Sequence, residues 1–301
     1  MDYNLITVLG PTATGKTRLA ALIAYQFNGE IISADSRQVY KSMNLGTGKD
    51  YDDYIVNGYS IPFHLVDVID PSEEFNLYLY LDHFNRIFPD IILRKKLPVL
   101  CGGTGLHLDS VIRNYKLKHA DSELKTELEN LSFEELKSLY LSLSLNPHNT
   151  TDLKDRDRLV SSLIILKSET GSLVTDNIIN SLNIGIDPGR DEIKKRITAR
   201  LKKRLESGMI DEVKSLMNQG VSYEKMLFFG LEYKYIAQYL SGAINYNDMY
   251  QKLNSAIHNF AKRQMTWFRK MERDGLIIHW LKNNDINSAK LLIENVGFRS
   301  N

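Results

Sequence analysis

The chain has 301 residues, 43% hydrophobic and 25% charged, enough for one substantial α/β core and a smaller second domain. Its 38 Lys and Arg nearly cancel 37 Asp and Glu, so a nucleic-acid partner would have to meet a local basic surface and not the net charge of +1. The single cysteine, Cys101, excludes a disulfide framework and a cysteine-based zinc site, and no signal-type N-terminus or run of about 18 apolar residues is present, which predicts a soluble cytoplasmic protein.

The first element reads as a strand, Leu5 to Leu9, running into Gly10-Pro11-Thr12-Ala13-Thr14-Gly15-Lys16-Thr17 and then an apolar helical pattern from Arg18. Strand, glycine-bracketed loop and helix are the context that a phosphate-binding loop requires. Glycine lets successive backbone N–H groups turn inward onto phosphate oxygens, and the following helix adds the positive end of its dipole. Lys16 supplies a point charge, and the Thr17 hydroxyl is placed to hold Mg²⁺. The sequence therefore predicts a site for a di- or triphosphate group.

Asn28 and Gly29 end that helix, and Glu30 to Ala34 reads as a second strand that delivers Asp35-Ser36-Arg37-Gln38-Val39-Tyr40 to its carboxyl end. Ligand crevices of open α/β sheets lie outside the strand carboxyl ends, so Asp35 is expected near the phosphates as a general base, a water-mediated metal ligand, or simply a turn residue. A glycine-rich loop comes next at Gly46-Thr47-Gly48-Lys49-Asp50-Tyr51. Pro62 to Pro71 has a short apolar strand at its heart, with His64 expected to pack. Asn76 to Leu93 has helical spacing, and Leu97 to Cys101 is a buried strand ending in Gly102-Gly103-Thr104-Gly105. Strands that end in small or polar residues and feed helices predict a P-loop NTPase-like parallel sheet covered by helices, with its site along one edge.

After Ile112 the character changes. Residues 114–183 read as a mostly helical insertion, entered through Lys116-Leu117-Lys118-His119 and carrying helices at Ser122 to Leu131 and Glu134 to Leu143. Residues 1–113 and 184–301 form the catalytic core. Asp155-Arg156-Asp157-Arg158-Leu159 is either a solvated helix face or a phosphate-backbone contact through Arg158. Past a strand at Ile184 to Ile186 and the breaker Pro188, Arg190 to Gly208 is a helix rich in Lys194, Lys195, Arg196, Arg200, Lys202, Lys203 and Arg204, whose cations either bind phosphates or face solvent. Gly208 and Gly220 end consecutive helices. A long helix from about Asn247 carries Lys262-Arg263-Gln264-Met265-Thr266-Trp267-Phe268-Arg269, where cations suit phosphates, Gln264 or Thr266 suits polar groups, and Trp267 reads as a buried anchor. The tail from Asn283 is a final short helix.

Taken in order, Gly10 to Thr17, Ser33 to Tyr40, His64-Leu65-Val66-Asp67, Gly102 to Gly105 and Lys262 to Arg269 resemble the tRNA dimethylallyltransferase family, and the match spans almost the whole chain. The resemblance implies transfer of a prenyl group from dimethylallyl diphosphate to N6 of the adenosine 3′ of the anticodon, in tRNAs reading codons that begin with U. It implies Mg²⁺, a diphosphate held by Gly10, Pro11, Thr12, Ala13, Thr14, Gly15, Lys16 and Thr17, Asp35 as general base, and Thr104 as a positioning group. It further implies contacts to the tRNA anticodon stem-loop at Asp35, Ser36, Arg37, Gln38, Asp157, Arg158, Lys262, Arg263, Gln264, Thr266 and Arg269, with the target base flipped out and the insertion gripping from a second side. No membrane partner is expected, and the chain is expected to act as a monomer. Two departures stand out. Met226-Leu227-Phe228-Phe229-Gly230-Leu231-Glu232-Tyr233 has no Arg where the family often has one before a Gly-Tyr pair, and Ser161 and Ile164 replace family residues in the insertion. A free-nucleotide isopentenyltransferase, a small-molecule P-loop kinase and a non-catalytic tRNA-binding paralogue are the alternative readings.

Overall fold

The computed structural model describes residues 3–115, 122–143, 156–168 and 178–300. In chain order it runs β1 (Leu5–Leu9), α1 (Lys16–Gln26), β2 (Gly29–Ala34), the hairpin β3 (Ile55–Val56) and β4 (Tyr59–Ser60), β5 (Phe63–His64), α2 (Leu77–Leu93), β6 (Leu97–Gly102) and α3 (Gly105–Ile112). Three further helices are α4 (Ser122–Asn130), α5 (Phe133–Leu143) and α6 (Arg156–Ser168). The chain then forms β7 (Ser181–Ile186), α7 (Arg190–Glu206), α8 (Met209–Asn218), α9 (Tyr223–Phe229), α10 (Leu231–Leu240), α11 (Tyr246–Arg273), β8 (His279–Leu281) and α12 (Ile286–Asn295).

Six strands pair in the order β5-β2-β6-β1-β7-β8, every pair parallel. Strands buried on both faces read as mostly apolar runs, and β1, β2 and β6 are buried along their whole length. Register aligns the strand ends. Leu9 lies opposite both Gly102 and Gly185, and Ala34 lies opposite Gly102, so the carboxyl ends of β1, β2, β6 and β7 finish together. Gly10, Asp35, Gly103 and Asp187 therefore leave the sheet along one edge, the side on which open α/β sheets place their ligands.

Two compact units divide the chain, one of Met1–Arg113 with Ile178–Asn301 and the other of Asn114–Asn177. In the second, Leu128, Leu136, Tyr140, Leu159, Val160 and Leu163 form a small core. Its helix ends are closed by side chains. Ser132 and Glu135 make a reciprocal capping box, and the Arg156 guanidinium donates to the Glu129 and Leu131 carbonyls at the end of α4. The polar lead-in Lys116 to His119 lies outside the described residues.

Two elements differ from expectation. The strand sought in the middle of Pro62 to Pro71 is instead the dipeptide Phe63–His64, because Leu65 and Asp67 take left-handed φ values of 62° and 54° that turn the chain off the sheet. The chain returns as Val68 and Ile69 donate their N–H groups to the Val39 carbonyl. Strand β8 has three partly buried residues that close the apolar stretch from Leu276 to Leu281, which the sequence reading left unassigned, and it pairs in parallel with β7. His64 does not simply pack: its Nε2 lies 2.8 Å from the buried Glu30 carboxylate, which also accepts from Arg94 at 2.8 Å.

Candidate active site

The loop between β1 and α1 is wound by its own residues. Ala13 and Gly15 take φ of 66° and 79°, the left-handed pair of turns that curls a phosphate loop, and Thr14 Oγ1 donates to the Pro11 carbonyl at 2.9 Å. Lys16 Nζ reaches back to the same carbonyl at 3.4 Å. Burial pushes its ammonium below the ordinary lysine value, while the nearby Asp35 carboxylate pulls it back up. The Thr17 side chain hydrogen-bonds to Cys101, whose thiol is pushed up to about 12 by burial and stays protonated.

Asp35 opens a turn at the carboxyl end of β2. Its Oδ1 accepts the Arg37 N–H at 3.0 Å, an Asx-turn that fixes the carboxylate on the sheet edge. Thr104 stitches this turn to the end of β6: its N–H donates to the Ala34 carbonyl at 3.2 Å, and its Oγ1 accepts the Ser36 N–H at 3.2 Å. Gln38 accepts from Ser33 Oγ and donates to the Gly48 carbonyl, each at 3.3 Å, tying the turn to the glycine-rich loop. The Arg37 guanidinium donates to the Phe228 carbonyl at 2.9 Å and lies 5.0 Å over that ring, so it occupies the segment in which the sequence lacks an arginine.

Helix α11 crosses the same edge and separates its polar residues by depth. Gln264 is 6% exposed, and both ends of its amide are spent inside the protein: Oε1 accepts the Thr12 N–H at 2.9 Å and Nε2 donates to the Gly103 carbonyl at 2.8 Å. The sequence reading placed Gln264 on RNA, whereas the structure makes it the clamp between the phosphate loop and the β6–α3 turn. A Cβ on Gly105 would stand 2.3 Å from the Trp267 ring, so the glycine is what admits the tryptophan as an anchor of α11. Lys262, Arg263, Thr266 and Arg269 are exposed on the outer side, with Thr266 Oγ1 turned back onto the Lys262 carbonyl at 3.0 Å. Arg269 borders a hollow of about 300 Å³ with Asp187, Glu272 and Trp280. Asp157 and Arg158 fall on α6, and their side chains lie outside the described residues.

Sequence reasoning left several residues of this edge unassigned. On α7, Ile193, Ile197 and Leu201 form the buried stripe, and Arg204 is the next residue in register, only 7% exposed. Its guanidinium donates to Asp50 Oδ2 at 3.0 Å and lies against Gly48. One turn earlier, Arg200 bonds to Thr12 Oγ1 in the phosphate loop, and its guanidinium is pushed down to about 10 by burial and by Arg204. Glu232, close enough to feel both arginines, has its carboxyl raised by burial. Glu212 holds the start of the glycine-rich loop, accepting the N–H groups of Asn44, Leu45 and Gly46 at 2.7–3.1 Å and the Tyr233 hydroxyl at 2.7 Å. Lys49, its side chain wholly buried, pairs with Asp67 at 2.5 Å. The readable signal was a cation in phase with an apolar stripe, since a buried charge must find partners.

Known proteins resemble this chain in sequence and in fold. The family model described as IPP transferase matches residues 38–271. The tRNA dimethylallyltransferase 2 of Trichlorobacter lovleyi is 47% identical over 283 residues, covering 92% of each chain. The tRNA dimethylallyltransferase 1 of Azobacteroides pseudotrichonymphae is 45% identical over 303 residues, covering 99% of each. Among solved structures, the full-length tRNA isopentenylpyrophosphate transferase of Bacillus halodurans is 31% identical with a TM-score of 0.69, covering 99% of this chain and 95% of its own. A eukaryotic dimethylallyltransferase acting on tRNA, at 20% identity and a TM-score of 0.71, shares the fold. A parallel sheet with a wound phosphate loop, an acidic turn on the same edge, and relatives alike over nearly the whole length together place this chain in the IPP transferase family of tRNA dimethylallyltransferases.

Proposed function

We propose that the protein moves a dimethylallyl group from dimethylallyl diphosphate to N6 of the adenosine 3′ of the anticodon, in tRNAs reading codons that begin with U. The observation that carries this reading is the meeting of Lys16 and Asp35 on one edge: the first follows the wound phosphate loop at the carboxyl end of β1, and the second opens the turn at the carboxyl end of β2, two strands that finish level with each other across β6. A carboxylate fixed beside the loop, on the turn that Thr104 and the Arg37 N–H hold, suits removal of a proton from an attacking amine.

In this reading the backbone N–H groups of the loop and Lys16 hold the donor diphosphate and stabilise the charge that grows on it. The C1–O bond of the donor breaks with its electron pair leaving on diphosphate, the N6–C1 bond forms, and Asp35 takes the N6 proton. Among the described residues no three His, Cys, Asp or Glu side chains gather into a metal cage, so Mg²⁺ would be held by the Thr17 hydroxyl and the diphosphate oxygens, a donor set of hard oxygens that suits it. When bound, it would supply further neutralisation of the leaving group.

Ser36, Arg37, Gln38, Lys262, Arg263, Thr266 and Arg269 are the RNA-facing candidates on the core, and Asp157 and Arg158 on the insertion; Gln264 acts on RNA only through the loop it clamps. No helix among the described residues is long and apolar enough to cross a membrane, and a cytoplasmic monomer is the proposed state. The test is transfer of label from radiolabelled dimethylallyl diphosphate, with Mg²⁺, to an unmodified tRNA reading UNN codons, to the same tRNA with its target adenosine changed to guanosine, and to free AMP. Label is expected in the first alone, and Asp35→Asn is expected to slow it about 10²- to 10⁴-fold. Label in AMP would mean a free-nucleotide enzyme, and tRNA binding without label would mean a non-catalytic relative.

A further inference from the structure

Helix α7 brings two arginines to the phosphate loop from outside it. Arg200 bonds to the Thr12 hydroxyl, within the loop itself. Arg204, one turn on, is buried, and its ion-pair partner Asp50 is 53% exposed at the side chain, on the loop that Gln38 ties to the Asp35 turn through Gly48. Gly48 gives up its side-chain space to this guanidinium: a Cβ there would stand 2.6 Å from Arg204 Nη2. Two guanidiniums from α7 thus stand at the same edge as the Lys16 ammonium: Arg200 and Lys16 both bond within the phosphate loop, and Arg204 lies against the glycine-rich loop tied to the Asp35 turn. A buried guanidinium whose carboxylate partner is half in water is a pair that a more highly charged, less solvated anion can displace.

Resting on the reading of this edge as a diphosphate-donor site, we propose that Arg204 belongs to that site: on donor binding it exchanges Asp50 for the departing diphosphate, with Arg200 holding the loop in register beside it. The chain thereby supplies from α7 the cation that the segment around Leu227 lacks, and Asp50 acts as a built-in counter-ion that competes with the donor. Arg204 is presented by a helix, so its position does not depend on the donor, whereas Asp50 sits on a glycine-rich loop that can give way.

The experiment uses the full chain with Mg²⁺ and inorganic diphosphate as the titrant in calorimetry, alongside steady-state transfer to tRNA. Arg204→Met is expected to weaken diphosphate binding about 10- to 100-fold and to raise the donor KM while leaving the tRNA KM unchanged, the loss of one charge-assisted contact. Arg204→Lys, which keeps the charge, is expected to recover part of it. Asp50→Asn has the opposite sign: diphosphate binds several-fold tighter and the donor KM falls, because the competitor is gone. Lys16→Ala is the control for the donor site itself. Diphosphate affinity unchanged within twofold in Arg204→Met and in Asp50→Asn, with Lys16→Ala still abolishing it, would overturn the role of Arg204 and leave the donor site standing. Wild-type protein that binds no diphosphate would overturn both.

Discussion

Two helices of this chain carry clusters of positive charge, and they use them in opposite ways. On α7, Lys194, Lys195, Lys202 and Lys203 face solvent, while Arg204 falls on the stripe of Ile193, Ile197 and Leu201 and is buried against Asp50. On α11, Lys262, Arg263 and Arg269 stay outside, and the residue that falls on the stripe of Leu253, Ile257, Ala261 and Phe268 is the neutral Gln264. In both helices the phase of the polar residue, and not the density of charge around it, decides which one builds the site. A side chain in phase with the core loses its water and must find fixed partners, which makes it a precise structural element. One out of phase keeps its water and is free to meet a flexible polyanion.

The largest test of that contrast is the triple substitution Lys262→Ala, Arg263→Ala, Arg269→Ala. If these side chains meet RNA phosphates, tRNA affinity falls about 10²-fold and the slope of log affinity against log salt drops by about one for each contact removed. The donor KM stays where it is; a shift in donor KM in place of the salt slope would erase the distinction between the two helices. Next in size is Gln264→Ala. It leaves the Thr12 N–H and the Gly103 carbonyl without their buried partner, which costs about 1–3 kcal/mol of stability in denaturant titration and slows transfer with little change in tRNA affinity. Loss of tRNA affinity with full stability would return Gln264 to the RNA surface.

The smallest effect lies near the start of β2, remote from the site. Burial alone would raise the Glu30 carboxyl, but hydrogen bonds from His64 and Arg94 outweigh it and hold the pKa below its ordinary 4.5. The folded state therefore binds this proton less readily than the unfolded chain, so its contribution is fully present above about pH 4.5 and is lost as pH falls through the lower, folded value. Arg94 is 42% exposed, so solvent screens the pair and keeps the contribution small. Melting curves from pH 7 to 3 should show Glu30→Gln losing this acid-dependent part while transfer at pH 7 is unchanged. A change in activity would mean that the amino end of the strand is coupled to its carboxyl end.

What the amino-acid order determined by itself was local. The phosphate loop, the buried runs of β1, β2 and β6 and the helix stops at Gly208 and Gly220 are each written within a few neighbouring residues, because backbone conformation and periodicity are short-range properties. Asp35 was legible as a candidate for the same reason, as the residue just past a strand. What only the tertiary structure decided was which distant groups share a partner. Nothing near Gln264 announces Thr12 or Gly103, 252 and 161 residues away, and nothing near Arg204 announces Asp50, 154 residues earlier. The two-residue β5 belongs to the same class, since it is held by pairing with β2 and not by its own pattern. Hydrogen bonds and ion pairs between elements depend on the register of the whole sheet and the phase of each helix upon it, and those exist only after the chain has folded.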